Sequence, residues 1–526
     1  MILSILHILI NSLCCCIGLA RALYRTERLS VLQLAVVAFD HDILELHDKL
    51  CYAGAMTVLV RCLQQTMTSV VIHWADEVRH LCQLIQMTYR CSNDAAKYTL
   101  QQIGTDLITL LFSILVKDPN SRGKSSPARA IILRFTKVEV AITNMERPNR
   151  LLLFLEQMAL LGGHDEVIAF EAMHLLAALT IHTESKDFVM QSPTFLDSII
   201  KCCHKAPPGS EIKHEVAKVL QNLTLHQNNK AKMATRLILR QLVALASPCH
   251  HITTKAQAIQ AMRHISVEAK GKLFIVTYEG GDVLKTLVSL TDEAALQPVI
   301  LDTLLSLSCN QTASPMVNYP GLIDALGSLG ASANVQVADK AAHTIKRLSA
   351  TISRNQKGHQ PLFKEIMALS ESPKICVRCW MAKALLEQAK LTGSSFLLVR
   401  CPDASQRIVD LANDESTEVQ DPAVECLFVL TSYSSNLKRI SMNGNMMKIL
   451  VNAVEKSFDG DDTTKFRARN AVLAILNLTT SRSSLKRAAK HKGIVPALSG
   501  YGVSDDDDEE LKQAALHGVV VLSPRM

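Results

Sequence analysis

The sequence predicts an all-α solenoid, and three observations lead there. A short helical motif returns at nearly constant spacing, and apolar residues follow the period of a helix rather than that of a strand. Aromatic residues are only 4% of the chain, with 21 Gly and 16 Pro in 526 residues, a poor match to a β-sandwich. Hydrophobic residues at 48% and charged residues at 20% exclude global disorder, since there is ample apolar surface to offset chain entropy. A single domain is roughly 100–200 residues, so this length requires several domains or one repeat array.

Residues 1–29 differ in composition from the rest. The run MILSILHILINSLCCCIGLA (1–20) has no formal charge and is followed by Arg21, Arg25 and Arg28. It is just long enough to cross a bilayer as a helix. A cleaved secretory signal would carry positive charge before the apolar run, and none is there. Arginines after the run would leave the remainder of the chain facing the cytosol, and Cys14-Cys15-Cys16 offers thiols for acylation. The competing expectation is a buried first helix, or a start codon placed out of frame. The segment HDILELHD (41–48) puts His41, Glu45 and Asp48 on one helical face; a mixed-charge surface helix explains it better than a metal site. Residues 30–165 fit the repeat loosely, with VRHLCQLIQMTYRCSNDAAKYTLQQIGTDLITLL (78–111) matching one unit.

From 166 to 526 the repeat is regular. Seven copies of one helix end read AMHLLAALT (172–180), KVLQNLT (218–224), QAMRHIS (260–266), DTLLSLS (302–308), HTIKRLS (343–349), VECLFVLT (424–431) and VLAILNLT (472–479), and AKALLEQAK (382–390) lacks only the hydroxyl. The variable position in each gives a marker: Ala178, Asn222, His264, Ser306, Arg347, Gln388, Val429 and Asn477. Their separations are 44, 42, 42, 41, 41, 41 and 48 residues. After each marked helix the pattern predicts a turn and a short helix. A longer apolar helix follows, as in GDVLKTLVSLT (281–291) or MMKILVNAVEK (446–456). Gly280-Gly281, Gly321, Gly444 and Gly493 stand where left-handed turn residues would join the two. The final unit, LKQAALHGVVVLS (511–523), stops after its third helix.

KVLQNLTLHQNNKAKM (218–233) and AVLAILNLTTSRSSLKRAAKHKGIVPAL (471–498) resemble the armadillo repeat, in which a long third helix ends in Asn-Leu and Gly-Ile-Val-Pro-Ala-Leu opens the next unit. ESPKICVRCWMAKALL (371–386) is as similar to HEAT. The resemblance implies a right-handed superhelix of about nine to eleven units whose third helices line a groove for partner peptides. The markers, and positions four and seven residues earlier, would face that groove: Lys218, Asn222, Gln257, Gln260, His264, Lys340, His343, Arg347, Gln388, Asn470 and Asn477, with Arg378 and Arg469 nearby. No Asp or Glu is among those named, although Glu215 and Glu425 sit close by, and the expected ligand is an extended acidic or phosphorylated peptide. The bland alternative is a solvated basic face. Members of the importin-α type carry Trp four residues before the marked Asn; here those positions are Lys218 and Leu473, and Trp74 and Trp380 lie elsewhere, which disfavours a nuclear-import receptor.

No nucleotide loop, zincin motif or nucleophile elbow is present, so no enzyme and no cofactor are expected. A net charge of +7 with few aromatics argues against nucleic acid. Fifteen cysteines without compact spacing suit a reducing, cytoplasmic compartment. The triplets CCH (202–204) and CHH (249–251) fall on adjacent second helices, where core thiols are favoured over zinc. DDDDEE (505–510) follows the basic stretch 482–492 and reads as a solvated loop, or alternatively as an acidic segment able to occupy a basic groove. The expected function is a non-catalytic interaction scaffold. The alternatives are a membrane-tethered adaptor held by residues 1–20 and a recognition subunit of a ubiquitin-ligase-type assembly.

Overall fold

The computed structural model describes residues 166–352, 358–456, 462–504 and 508–523, with individual positions and short stretches between 60 and 159. The apolar run 1–20, the segment 41–48 and residues 505–507 lie outside the described residues, as does most of 30–165. The chain divides into two compact units, residues 1–264 and 265–526.

In the first unit, long helices Glu166–Leu179, Glu211–Leu225 and Ile252–Ile265 are separated by pairs of shorter ones, Thr183–Gln191 with Pro193–Lys205 and Gln227–Met233 with Arg236–Leu245. Before them, residues 106–114 are helical, with Leu107, Ile108, Leu111 and Phe112 fully buried. Ser198 donates a 2.7 Å hydrogen bond to buried Glu156, a partner 42 residues back.

The second unit repeats this order. Its long helices are Gln297–Leu307, Val335–Ser349, Ile375–Lys390, Thr417–Thr431, Asp462–Thr479 and Glu509–Leu522. Between them stand short helices such as Ala313–Val317 and Ser434–Ile440, and apolar second helices such as Asp282–Ser289, Leu322–Gly330, His359–Leu369 and Gly444–Glu455. Every marker falls in the last turn of a long helix. Long helices bury more than one face because each lies between its neighbours: in Val335–Ser349 the buried set is Val337, Ala338, Ala341, Ala342, Thr344, Ile345, Leu348 and Ser349. No unit could bury such a surface alone, so the core runs from repeat to repeat.

The turn into the second helix uses left-handed glycine at Gly281 (φ 105°) and Gly321 (φ 79°), and also at Gly358 (φ 83°). Gly444 and Gly493 correct the expectation. Gly444 begins its helix after Asn443, whose side chain caps it, and Gly493 has φ −92°. Gly493 is instead a close-approach site, since a Cβ there would stand 2.7 Å from Val451 Cγ1. Within the acidic run, Asp508 caps the last helix by accepting from Leu511 N at 3.0 Å, and Glu509 and Glu510 form its first turn, where negative charge is favourable. Among the described residues no single helix is long and apolar enough to cross a membrane.

Candidate functional site

The hydroxyl that ends each marked helix has a structural role. Thr180, Thr224, Ser308, Ser349 and Thr431 are buried and donate to the carbonyl three residues back, closing the helix C-terminus. The marker of the following repeat then reaches back to this point. Asn222 donates to Ala177 O at 2.9 Å and to Thr180 Oγ1 at 3.3 Å. His264 Nδ1 meets Thr224 Oγ1 at 3.1 Å, Ser306 meets Ser266 at 2.7 Å, and Asn477 donates to Thr431 Oγ1 at 3.1 Å. Gln388 is 1% exposed and donates to Ser349 O and Ile352 O, while its carbonyl oxygen lies 3.1 Å from His359 Nε2. The markers thus form rungs of a polar ladder. Val429 is apolar, and the repeat before it lacks the hydroxyl; there Tyr433 OH donates to Lys390 O instead.

Other stripe residues are also held internally. Lys218 pairs with Glu215 at 2.8 Å, and His174 reaches the same carboxylate. Burial would raise the Glu215 carboxyl, but these two partners outweigh it and hold it below the usual range. Gln260 accepts from Gln221, and Lys340 pairs with Asp302 at 2.6 Å. Asn470 is only 8% exposed, so it and Gln388 sit in the interior rather than on an open surface. His343 stacks on Trp380 with centroids 4.0 Å apart and planes within 4°, and the Lys383 ammonium lies 4.7 Å from the Trp380 centroid. Trp380 also donates to Asp339 at 2.8 Å. Burial, and then the Arg347 cation, push the His343 imidazole down. Trp380 stands eight residues before its marker, one residue beyond the positions four and seven before it.

Arg347 is different. Among the described residues it is the polar marker that forms no rung, and neither its side chain nor that of Lys272 has an ion pair or hydrogen bond. At this place the surface opens into a cleft of about 460 Å³ lined by Lys272, Ser308, Cys309, Gln311, Lys346 and Arg347, with no acidic side chain in its wall. Lys346 has only a long contact with Glu387, 3.7 Å. Burial raises the Cys309 thiol, but the Thr312 hydroxyl, the Gln311 and Thr312 backbone and the Lys272 cation outweigh it, so the thiol lies below its ordinary value. Arg378, by contrast, is closed: Nε and Nη2 bind Asp414 at 2.5 and 3.1 Å and Nη1 binds Ser372 O.

The two Cys/His triplets do not assemble. Cys202 and Cys203 are buried, with burial pushing their thiols up to about 11 and about 12, and Gln241 donates to Cys203 Sγ. Cys249 is exposed, and His250 Nδ1 instead accepts from Gly209 N. Cys376 and Cys379 form a CxxC spacing absent from the motifs considered in sequence; both are free, and Cys379 Sγ approaches Glu418 O at 3.4 Å. No group of three or more His, Cys, Asp or Glu among the described residues is placed to hold a metal ion.

No family model and no curated protein matches the chain. Solved structures do. The chain is similar to an engineered protein at 17% identity and TM-score 0.50, covering 88% of this chain and 98% of that one. A structure titled for a phosphorylation switch controlling the interaction between cadherin and beta-catenin matches at 17% identity and TM-score 0.48, covering 88% and 92%. UNC-45 from Drosophila melanogaster matches at 14% identity and TM-score 0.42, covering 95% and 66%. The short-helix, second-helix, long-helix repeat is an all-α helical-repeat fold shared with that engineered protein, the architecture that the armadillo resemblance of the sequence implied.

Proposed function

We propose that the chain is a non-catalytic, cytosolic interaction scaffold whose exposed long-helix stripe receives an extended acidic or phosphorylated segment of a partner protein. Arg347 carries this reading. On a stripe where most polar side chains are tied to a neighbouring repeat, its guanidinium is half-buried, unpaired and flanked by Lys346. A guanidinium offers fork-shaped donors suited to carboxylate or phosphate. One turn before Arg347 on the same helix, His343 is stacked on Trp380, a rigid surface for the chain of a bound segment. Free cysteines among the described residues agree with a reducing compartment.

The test is capture of partner proteins by the full chain and by a Lys340→Glu, Arg347→Glu double variant, with circular dichroism to verify folding. The reading expects a partner held by the parent and lost by the folded variant. Equal capture by both sinks it.

A further inference from the structure

The cleft at Arg347 lies where the ladder lacks a rung. At the corresponding place in other repeats the marker reaches the preceding hydroxyl: Asn222 to Thr180, His264 to Thr224, Ser306 to Ser266, Asn477 to Thr431. Ser308 is in place and donates to Leu305 O at 2.8 Å, but Arg347 makes no bond to it. The wall of the resulting cleft presents three cations, Lys272, Lys346 and Arg347, together with the polar side chains of Asn310 and Gln311. Two of the three cations are unpaired, and no carboxylate lines the space.

We infer that this cleft is a phosphoryl-binding site, and that its natural occupant is a phosphorylated side chain of the partner segment. This rests on the scaffold reading above. Charge favours a phosphoryl group over a carboxylate. A phosphate monoester carries about −1.5 to −2 at neutral pH and offers three acceptor oxygens to three converging cations, against one charge and two oxygens for a carboxylate. Size agrees, since a cleft of about 460 Å³ admits a phosphorylated side chain together with water. The Cys309 thiol in the cleft wall supplies a local reporter. Lys272 is among the groups that lower it, so an anion held by Lys272 and Arg347 opposes ionisation of the thiol and slows its alkylation.

The experiment follows N-ethylmaleimide modification of Cys309 in the full chain by peptide-resolved mass spectrometry. Three additions are compared: inorganic phosphate, a serine-phosphorylated acidic peptide and the same peptide unphosphorylated. The expected result is slowing by phosphate, slowing at roughly tenfold lower concentration by the phosphopeptide, and little effect of the unphosphorylated peptide. Arg347→Asn places at the marker the residue that forms the rung at Asn222 and Asn477, so it should fold and lose the effect; Arg347→Lys should keep part of it. If neither phosphate nor the phosphopeptide slows modification, or if Arg347→Asn responds like the parent, the site is overturned. Slowing by free phosphate without preference for the phosphopeptide overturns the assigned occupant. Partner capture that is lost in the Lys340→Glu, Arg347→Glu variant, but indifferent to phosphatase treatment of the partner, leaves the scaffold reading standing while this site falls.

Discussion

Two clefts of the second unit contain arginine, and they differ in what surrounds it. The first, about 460 Å³, is lined by Lys272, Lys346 and Arg347 without a carboxylate. The second, about 350 Å³, holds Arg378 and Arg407 beside Glu371, Asp410 and Asp414. Arg378 is bound bidentately to Asp414, and Arg407 contacts both Glu371 and Asp410. The number of basic residues is similar, so it does not distinguish a docking surface from a strut. Pairing does. An arginine whose donors are already matched has little left for a ligand, whereas an unmatched one leaves a field directed at solvent.

The largest expected effect lies in the paired cleft. Arg378→Ala strands a nearly buried Asp414 carboxylate, and a loss of about 2 kcal/mol is expected from urea unfolding, below the full value for deeply buried pairs. A loss under about 0.5 kcal/mol would break the comparison, because Arg378 would then be as idle as Arg347. The next effect is on the acid side. Burial raises Asp414, but hydrogen bonds from Arg378 and Ser416 N outweigh this and hold its carboxyl below the usual range. The unfolded chain therefore takes up the proton first. The stabilisation is complete above the unfolded value of about 3.9 and is lost as pH falls through the folded one. Melting temperature against pH should be less steep on the acid side in Asp414→Asn than in the parent; identical slopes would assign acid lability elsewhere.

Smaller still is the histidine contribution. Burial, then neighbouring cations, push His264 and His343 down, so folding favours their neutral forms. Their contribution is present above about pH 6.5 and declines as pH falls below it, when the unfolded chain protonates first. His264→Gln keeps a hydrogen-bonding group opposite Thr224 and should flatten that slope; an unchanged slope would remove this rung from the account. Smallest is Arg347→Asn, expected to leave stability within about 0.5 kcal/mol of the parent. The thiols sharpen the same contrast. Cys309 should react faster with maleimide than Cys376, whose thiol is raised by burial and by Asp339, although both are half-buried.

The repeat was legible because its signal is local. Helix ends, apolar faces and the glycines Gly281 and Gly321 depend on a few neighbouring residues, and these were found. The stripe was less legible because the partners of its residues are remote in sequence. Lys340 meets Asp302, His343 meets Trp380, and Gln388 reaches Ser349 O, each from an adjacent repeat. Helical phase correctly places Gln388 at a marker, yet says nothing of how the chain after Ser349 returns over it. Phase also gives no sign that the rung at Arg347 is missing; comparison of Arg347 with the Asn, His and Ser at other markers was the available clue.

The ladder also limits where the chain can change in length. The spacing from Val429 to Asn477 is seven residues longer than the one before it, yet Asn477 still meets Thr431. Part of the difference lies in the long helix itself, 18 residues in Asp462–Thr479 against 15 in Thr417–Thr431. One residue inserted between a marker and its closing hydroxyl would instead rotate one against the other by about 100° and part the rungs on either side. Insertions and deletions are therefore tolerable at the joints and ruinous in the last turn of a long helix, so the stride of this array is elastic between rungs and fixed at them.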